Sequence, residues 1–269
     1  MKKILIGLAA AMALYAVLVN SATADDYSVG IEGRIWAAEI GGNIKASDNS
    51  VLGTTVNITG DLDLTDLEEI PEFAGFFKLT RDDRINFHYW FVGFNGEKVL
   101  SQEVKFGGST YLVGTRVESN LEARVGTVSY ERILFSEKGT GTEFELGAQL
   151  GAKYMSFSGK LTAPSASLSE DESLIGFVPV AGLRAKLDLS EWISIEGQVN
   201  GVSVNNIRGV DATILEATAE LQANVYEGVY ASVGYHIFDV NIDADLGTNE
   251  SFKVDTTIDG FFFSIGYRF

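Results

Sequence analysis

The chain has no cysteine, only three prolines, two histidines and three tryptophans in 269 residues. Without cysteine it forms no disulfide, carries no thiol nucleophile and offers no cysteine metal ligand, so its stability rests on hydrogen bonding and packing. Two histidines leave little material for a general base or a neutral metal ligand. Positive charge is also scarce: 20 lysines and arginines face 37 acidic residues, for a net charge of −17. That deficit argues against nucleic acid, which requires a basic surface, and against electrostatic docking on anionic lipid headgroups. Beyond the first two dozen residues no apolar run reaches the length of about eighteen that a membrane helix needs. Glycine-rich phosphate loops and recognisable metal-ligand spacings are missing too, and Asn57-Ile58-Thr59, a glycosylation sequon, carries little weight by itself. No metal or other cofactor is expected. What the chain has in quantity is glycine (29) and aromatic residues, including 17 phenylalanines and 10 tyrosines, which suits many strands joined by tight turns.

The start of the chain has its own signature. Lys2 and Lys3 precede an apolar run from Ile4 to Val19, followed by Asn20, Ser21 and the small-residue triplet Ala22-Thr23-Ala24. A basic region, a short apolar region and an A-x-A site predict a secretory signal peptide over residues 1–24, cleaved after Ala24. Residues 25–269 would form the mature chain, at a net charge of −19 once Lys2 and Lys3 are lost.

The end of the chain predicts the architecture. In Phe252 to Phe269, alternate residues back from the terminus are Phe269, Tyr267, Ile265, Phe263 and Phe261, against Arg268, Gly266, Ser264, Phe262 and Gly260. A strand sends alternate residues to opposite faces, so one face is apolar and the other mostly small or polar. An exposed apolar face is costly in water and favourable in a bilayer, where the opposite face lines a lumen. This strand resembles the C-terminal signal of bacterial outer-membrane β-barrels. The resemblance implies that Phe261, Phe263, Ile265, Tyr267 and Phe269 are read by the barrel-assembly machinery, and that outer-membrane lipid and lipopolysaccharide surround the protein.

Alternation recurs along the mature chain. Strand one spans about Tyr27 to Ile40, and a polar segment, Gly41 to Pro71, follows; within it Val56, Ile58, Leu62 and Leu64 alternate with polar residues, as an extended strand or as a small lid. A stretch over Glu72 to Thr80 meets the break Arg81-Asp82-Asp83. The strand from Arg84 runs on to Phe106, turns at Gly107-Gly108-Ser109, and returns from Tyr111 to Phe135. This predicts a ribbon that protrudes ~30 Å beyond a bilayer. Ser136 to Gly141, Ser190-Glu191 and Tyr226-Glu227-Gly228 read as short turns; 163–173, 205–211 and 243–251 read as long polar loops. The expected fold is an all-β, transmembrane, antiparallel up-and-down barrel of ten strands, with eight or twelve as alternatives, and with no second domain. In layout it resembles the small OmpA and OmpW type of outer-membrane barrel.

Charges of both signs fall on the predicted inner face: Glu32, Arg34, Lys78, Glu145, Lys153, Arg184, Lys186, Glu196, Glu216, Glu220 and Arg268. A ten-stranded barrel is narrow, so long opposite charges should pair across it, either plugging the lumen or lining a narrow path for ions or small solutes. Surface recognition through the 99–118 ribbon and acidic loops able to hold divalent cations is the alternative. His236 and Asp239 lie three apart, on opposite faces of one strand. No Asp–His constellation of the omptin kind and no His–Ser pairing of the deacylase kind can be placed, so no catalytic residue is assigned and no enzymatic role is expected.

Overall fold

The computed structural model describes residues 28–47, 52–64, 67–139, 141–207, 209–247 and 250–269. The predicted signal peptide therefore lies outside the described residues. In chain order the strands are β1 (Val29–Ser47), β2 (Val56–Asn57), β3 (Glu68–Lys78), β4 (Asp83–Val99), β5 (Val104–Phe106), β6 (Ser109–Tyr111), β7 (Arg116–Lys138), β8 (Glu143–Ala163), β9 (Leu168–Asp188), β10 (Ile193–Ile207), β11 (Val210–Tyr226), β12 (Val229–Gly247) and β13 (Glu250–Arg268).

All of these except β2, β5 and β6 join in one antiparallel ring, in the order β13-β12-β11-β10-β9-β8-β7-β4-β3-β1, and β13 pairs back onto β1. That makes ten strands, as the alternation predicts. The closing seam runs from Gly30 opposite Arg268 to Ser47 opposite Ser251. Ser28 N–H donates to the Phe269 carbonyl at 2.7 Å, and Phe269 N–H donates to the Val29 carbonyl at 2.8 Å. Closure leaves no open edge, which is the condition for a sheet to cross a bilayer.

The strands are much longer than the ~9–11 residues a bilayer requires: β7 has 23 residues, and β8 and β9 have 21 each. Three segments predicted as long loops are therefore mostly strand. β8 and β9 are joined by a single 3₁₀ turn, Pro164–Ala166, and pair as far as Ala163 opposite Leu168. β11 begins at Val210, and β12 runs to Gly247 before β13 begins at Glu250. Polar outward residues in these stretches suggest loops, but cross-strand hydrogen bonding continues because inward residues such as Leu161, Ala212, Ile242 and Phe252 are buried in a shared core.

The protruding 99–118 ribbon is not observed. β4 ends at Val99, and β5 and β6 form a separate small hairpin in which Val104, Phe106 and Tyr111 are buried. Its turn is Gly107-Gly108, at φ of 56° and 87°, the doubly left-handed geometry that glycine tolerates. Tyr111 O–H donates to the Leu161 carbonyl at 2.8 Å, tying the hairpin to β8. Val56, Ile58, Leu62 and Leu64 are buried as well. Of the two forms open to that segment, the lid is the one adopted.

The outer face of the barrel carries an apolar belt: Ile31, Ile35, Phe73, Phe87, Phe91, Val128, Leu150, Phe177, Leu183, Ile195, Leu221, Val233, Phe261, Phe263 and Ile265 are all exposed. Such a ring is rewarded only by lipid. Toward the lid end the two faces exchange character. On β12 the outward residues change from Val233, Tyr235 and Ile237 to Asp239, Asn241 and Asp243, while the inward ones change from Ser232 and His236 to Phe238, Val240 and Ile242. On β13 Phe261 and Phe263 face out, but Ile258, Val254 and Phe252 are buried. On β11 inward Glu220 and Glu216 give way to Ile214 and Ala212. The lower part of the barrel is apolar outside and polar inside; the upper part is polar outside, with an apolar core that includes Val56, Ile58, Leu100, Phe106 and Tyr111 from the lid segments.

Candidate functional site

The polar lumen is built from residues that alternate with the lipid belt. All eleven predicted lumen charges point inward, and most of them pair. Arg184 on β9 has three carboxylates around it: Glu196 accepts from Nε at 2.7 Å and from NH2 at 2.6 Å, Glu145 lies 3.3 Å from NH1, and Glu131 lies 3.6 Å from NH1. Arg34 on β1 bonds Glu32 and lies 3.5 Å from Glu220 and 3.9 Å from Glu72. Lys153 is fully buried and donates to Glu216. Lys186 pairs with Asp188 at 2.8 Å, near the short-turn end. Arg268 donates to Gln222 and covers the Tyr230 ring. Lys78 stands opposite Arg84 in the β3–β4 ladder.

Several lumen residues were not among those candidates. Glu72 and Glu131 are fully buried, and Arg84 donates to Glu131 at 2.9 Å. His236 lies between two carboxylates, with Nδ1 2.8 Å from Glu72 and Nε2 3.0 Å from Glu216. His88 spans the same pair more loosely, at 3.5 and 3.6 Å. The four side chains thus form a ring of alternating carboxylate and imidazole across β3, β4, β11 and β12. Asp239 points away from it and accepts from Thr257 at 2.8 Å. Both histidines lie on the inward rows of their strands, and their meeting depends on barrel closure.

The ring marks the top of the polar layer. Trp36 stacks on His236, and Trp90 and Phe238 continue the aromatic layer above it, with centroids 5.0 Å apart. Below the ring lies a cavity of about 260 Å³ that extends to the short-turn end, where Lys78, Arg81 and Arg268 line it; Glu216 and His88 line its inner end. Above lies the apolar core. The interior is therefore two-layered: the inward charges gather around the cavity toward the short-turn end, and an apolar core fills the barrel above them.

What the arrangement can do follows from this layering. The charged part holds its ionised side chains in place by mutual pairing, and its cavity reaches the short-turn end. Among the described residues, no group of three or more potential ligands is placed to hold a metal ion.

No protein-family model and no curated protein matches the chain. Solved structures do resemble it. The outer membrane protease OmpT from Escherichia coli is 12% identical over 94% of this chain and 99% of its own, with a TM-score of 0.44. The transport unit of the autotransporter AIDA-I from Escherichia coli is 10% identical over 94% of each chain, with a TM-score of 0.41. Ail, the attachment invasion locus protein of Yersinia pestis, is 10% identical over 90% of this chain and 99% of its own, with a TM-score of 0.35. The expectation of no enzymatic role is corrected here, since a protease stands among the structures this chain resembles.

Proposed function

We propose that the protein is a bacterial outer-membrane barrel whose outer mouth is sealed, so that it presents a rigid platform at the cell surface and does not conduct ions. The observation that carries this is the exchange of inner and outer polarity partway along every long strand. An apolar belt with a polar interior suits lipid; a polar wall around an apolar core suits water. The platform is built by the strands themselves, with the 52–64 and 100–115 segments closing its interior.

In this reading the chain is exported by a signal peptide cleaved after Ala24, its C-terminal strand is engaged by the barrel-assembly machinery, and lipopolysaccharide packs around the wall above the belt. Outward carboxylates there include Glu39 opposite Asp259 across the β1–β13 seam, a like-charge pair that divalent cations shared with lipid phosphates would relieve. In the same reading the chain is a single-domain barrel of the small OmpA and OmpW type.

Recording from purified protein in planar bilayers tests the proposal. The expected result is no steady conductance. A stable unitary current in the unmodified protein overturns the sealed-mouth reading.

A further inference from the structure

Every strand of the ring has a partner on both sides, but the β9–β10 ladder is shorter than the strands that form it. It runs from Ser194 opposite Asp188 to Gly201 opposite Ala181 and stops there. β9 nevertheless extends back to Leu168 and β10 on to Ile207. On their other sides these stretches stay paired, β9 with β8 as far as Ala163 opposite Leu168, and β10 with β11 as far as Ile207 opposite Val210. A notch therefore opens between β9 and β10 above Ala181 and Gly201. Pro179 stands two residues beyond the last pair. Proline has no N–H for a ladder and is tolerated in a strand where an edge is unpaired.

The β3–β4 ladder ends in the same way, at Glu72 opposite Trp90, beside Pro71. There the chain fills its own gap, since Lys98 and Ser119 donate to the Gly60 and Leu62 carbonyls of the lid. Between β9 and β10, three observations describe a gap left open. The inward residues Leu174, Val178, Val202 and Val204 pack against the apolar core but are only partly buried, whereas Val240 and Val254 of the continuous wall are buried. Inward Gly176 lies between Leu174 and Val178, and a Cβ placed on it would meet no heavy atom within 4 Å. Outside, Phe177 is 76% exposed and, with Ile175, carries the apolar belt up to the notch.

We propose that the notch seats an acyl chain of a surrounding lipid, which lies over Leu174, Val178, Val202 and Val204 and completes the wall of the core. Continuity with the belt decides the occupant: lipid already covers Phe177 and Ile175, and the partly bare apolar row is the next surface inward. Covering that row removes apolar area from water. An added peptide strand would need ladder bonds that Pro179 cannot give, whereas an acyl chain needs none. The inference rests on the belt lying in lipid and is independent of the sealed mouth.

The test is photolabelling of the folded chain in bilayers of phosphatidylcholine, a fraction of which carries a diazirine midway along one acyl chain. Light expels dinitrogen, and the carbene left on the chain inserts into a C–H bond of the side chain it touches. Peptide mapping by mass spectrometry locates the adducts. Outward Phe261 and Phe263 are expected to be labelled by bulk lipid. Leu174, Val178, Val202 and Val204 are expected to be labelled too, while inward Val240 and Val254, behind continuous ladders, stay unlabelled. Gly176→Phe fills the open space without a clash; it should abolish the notch adducts and leave those on Phe261 and Phe263 unchanged. A labelled belt with an unlabelled notch overturns this proposal alone, whereas no label on either overturns the lipid-facing belt with it. Equal labelling of Val240 and Val254 also overturns the proposal, as do notch adducts undiminished by Gly176→Phe, since lipid would then reach the core by another route.

Discussion

Trp36 stacks on His236 with ring centroids 4.1 Å apart and planes 28° from parallel, and this contact is the floor of the apolar core and the ceiling of the charged lumen. The same indole meets Trp90 edge-on at 5.6 Å. Removing it opens a hole exactly where the two environments join. Trp36→Ala should therefore cost about 3–5 kcal/mol of unfolding free energy, as large aromatic truncations do. Guanidinium titration in detergent measures it. A midpoint unchanged from the parent's would show that the aromatic layer is not packed as described.

Arg184 is 4% exposed at its side chain and holds three carboxylates, whereas Arg124 is 57% exposed and meets Glu122 at 3.2 Å. The two predict different mutants. Arg184→Ala leaves Glu145 and Glu196 without this cation and Glu131 with Arg84 alone, and should cost about 3–5 kcal/mol. Arg124→Ala should cost about 0–1 kcal/mol, because solvent already screens that pair. Equal effects in parallel denaturation curves would mean that water screens the lumen as fully as the surface.

Tyr111 lies in the lid, outside the lipid belt. Burial and the nearby Glu170 carboxylate push its phenol up to about 12, from an ordinary value of about 10. A raised value favours the neutral form in the folded state. Its contribution to stability is therefore intact below about pH 10 and is lost as pH rises from there toward about 12. Phenolate absorbance should show this as the difference between the parent and Tyr111→Phe. A difference curve centred near pH 10 would place the hydroxyl in free contact with water.

Phe269 is anchored by backbone bonds to Ser28 and Val29 and packs edge-on against Tyr267, with centroids 4.6 Å apart. Its deletion should sharply reduce folded protein in the outer membrane while leaving the denaturation midpoint of the fraction that does fold little changed. Immunoblots of unboiled membrane fractions measure the first quantity. Normal folded levels would mean that the terminal aromatic is not an assembly signal.

The sequence alone carried the ten-strand count, the inward set of charges and the turns at Arg81-Asp82-Asp83 and Glu227-Gly228, because period-two alternation and turn chemistry are local. It also held a signal for the exchange of faces. Adjacent apolar pairs interrupt the alternation at Ile35-Trp36, Ile214-Leu215, Ile237-Phe238 and Phe261-Phe262, each where an apolar row passes from one face to the other. Which residues would meet was not legible. Glu72 and His236 are 164 positions apart and come within 2.8 Å only because β13 closes on β1. The 99–118 segment likewise reads as an outward ribbon, since alternation states that a strand has two faces but not which face finds partners. Only the closed ring supplied the buried surface that turned Val104, Phe106 and Tyr111 inward: apolar burial is non-directional and is decided by what the rest of the chain leaves uncovered.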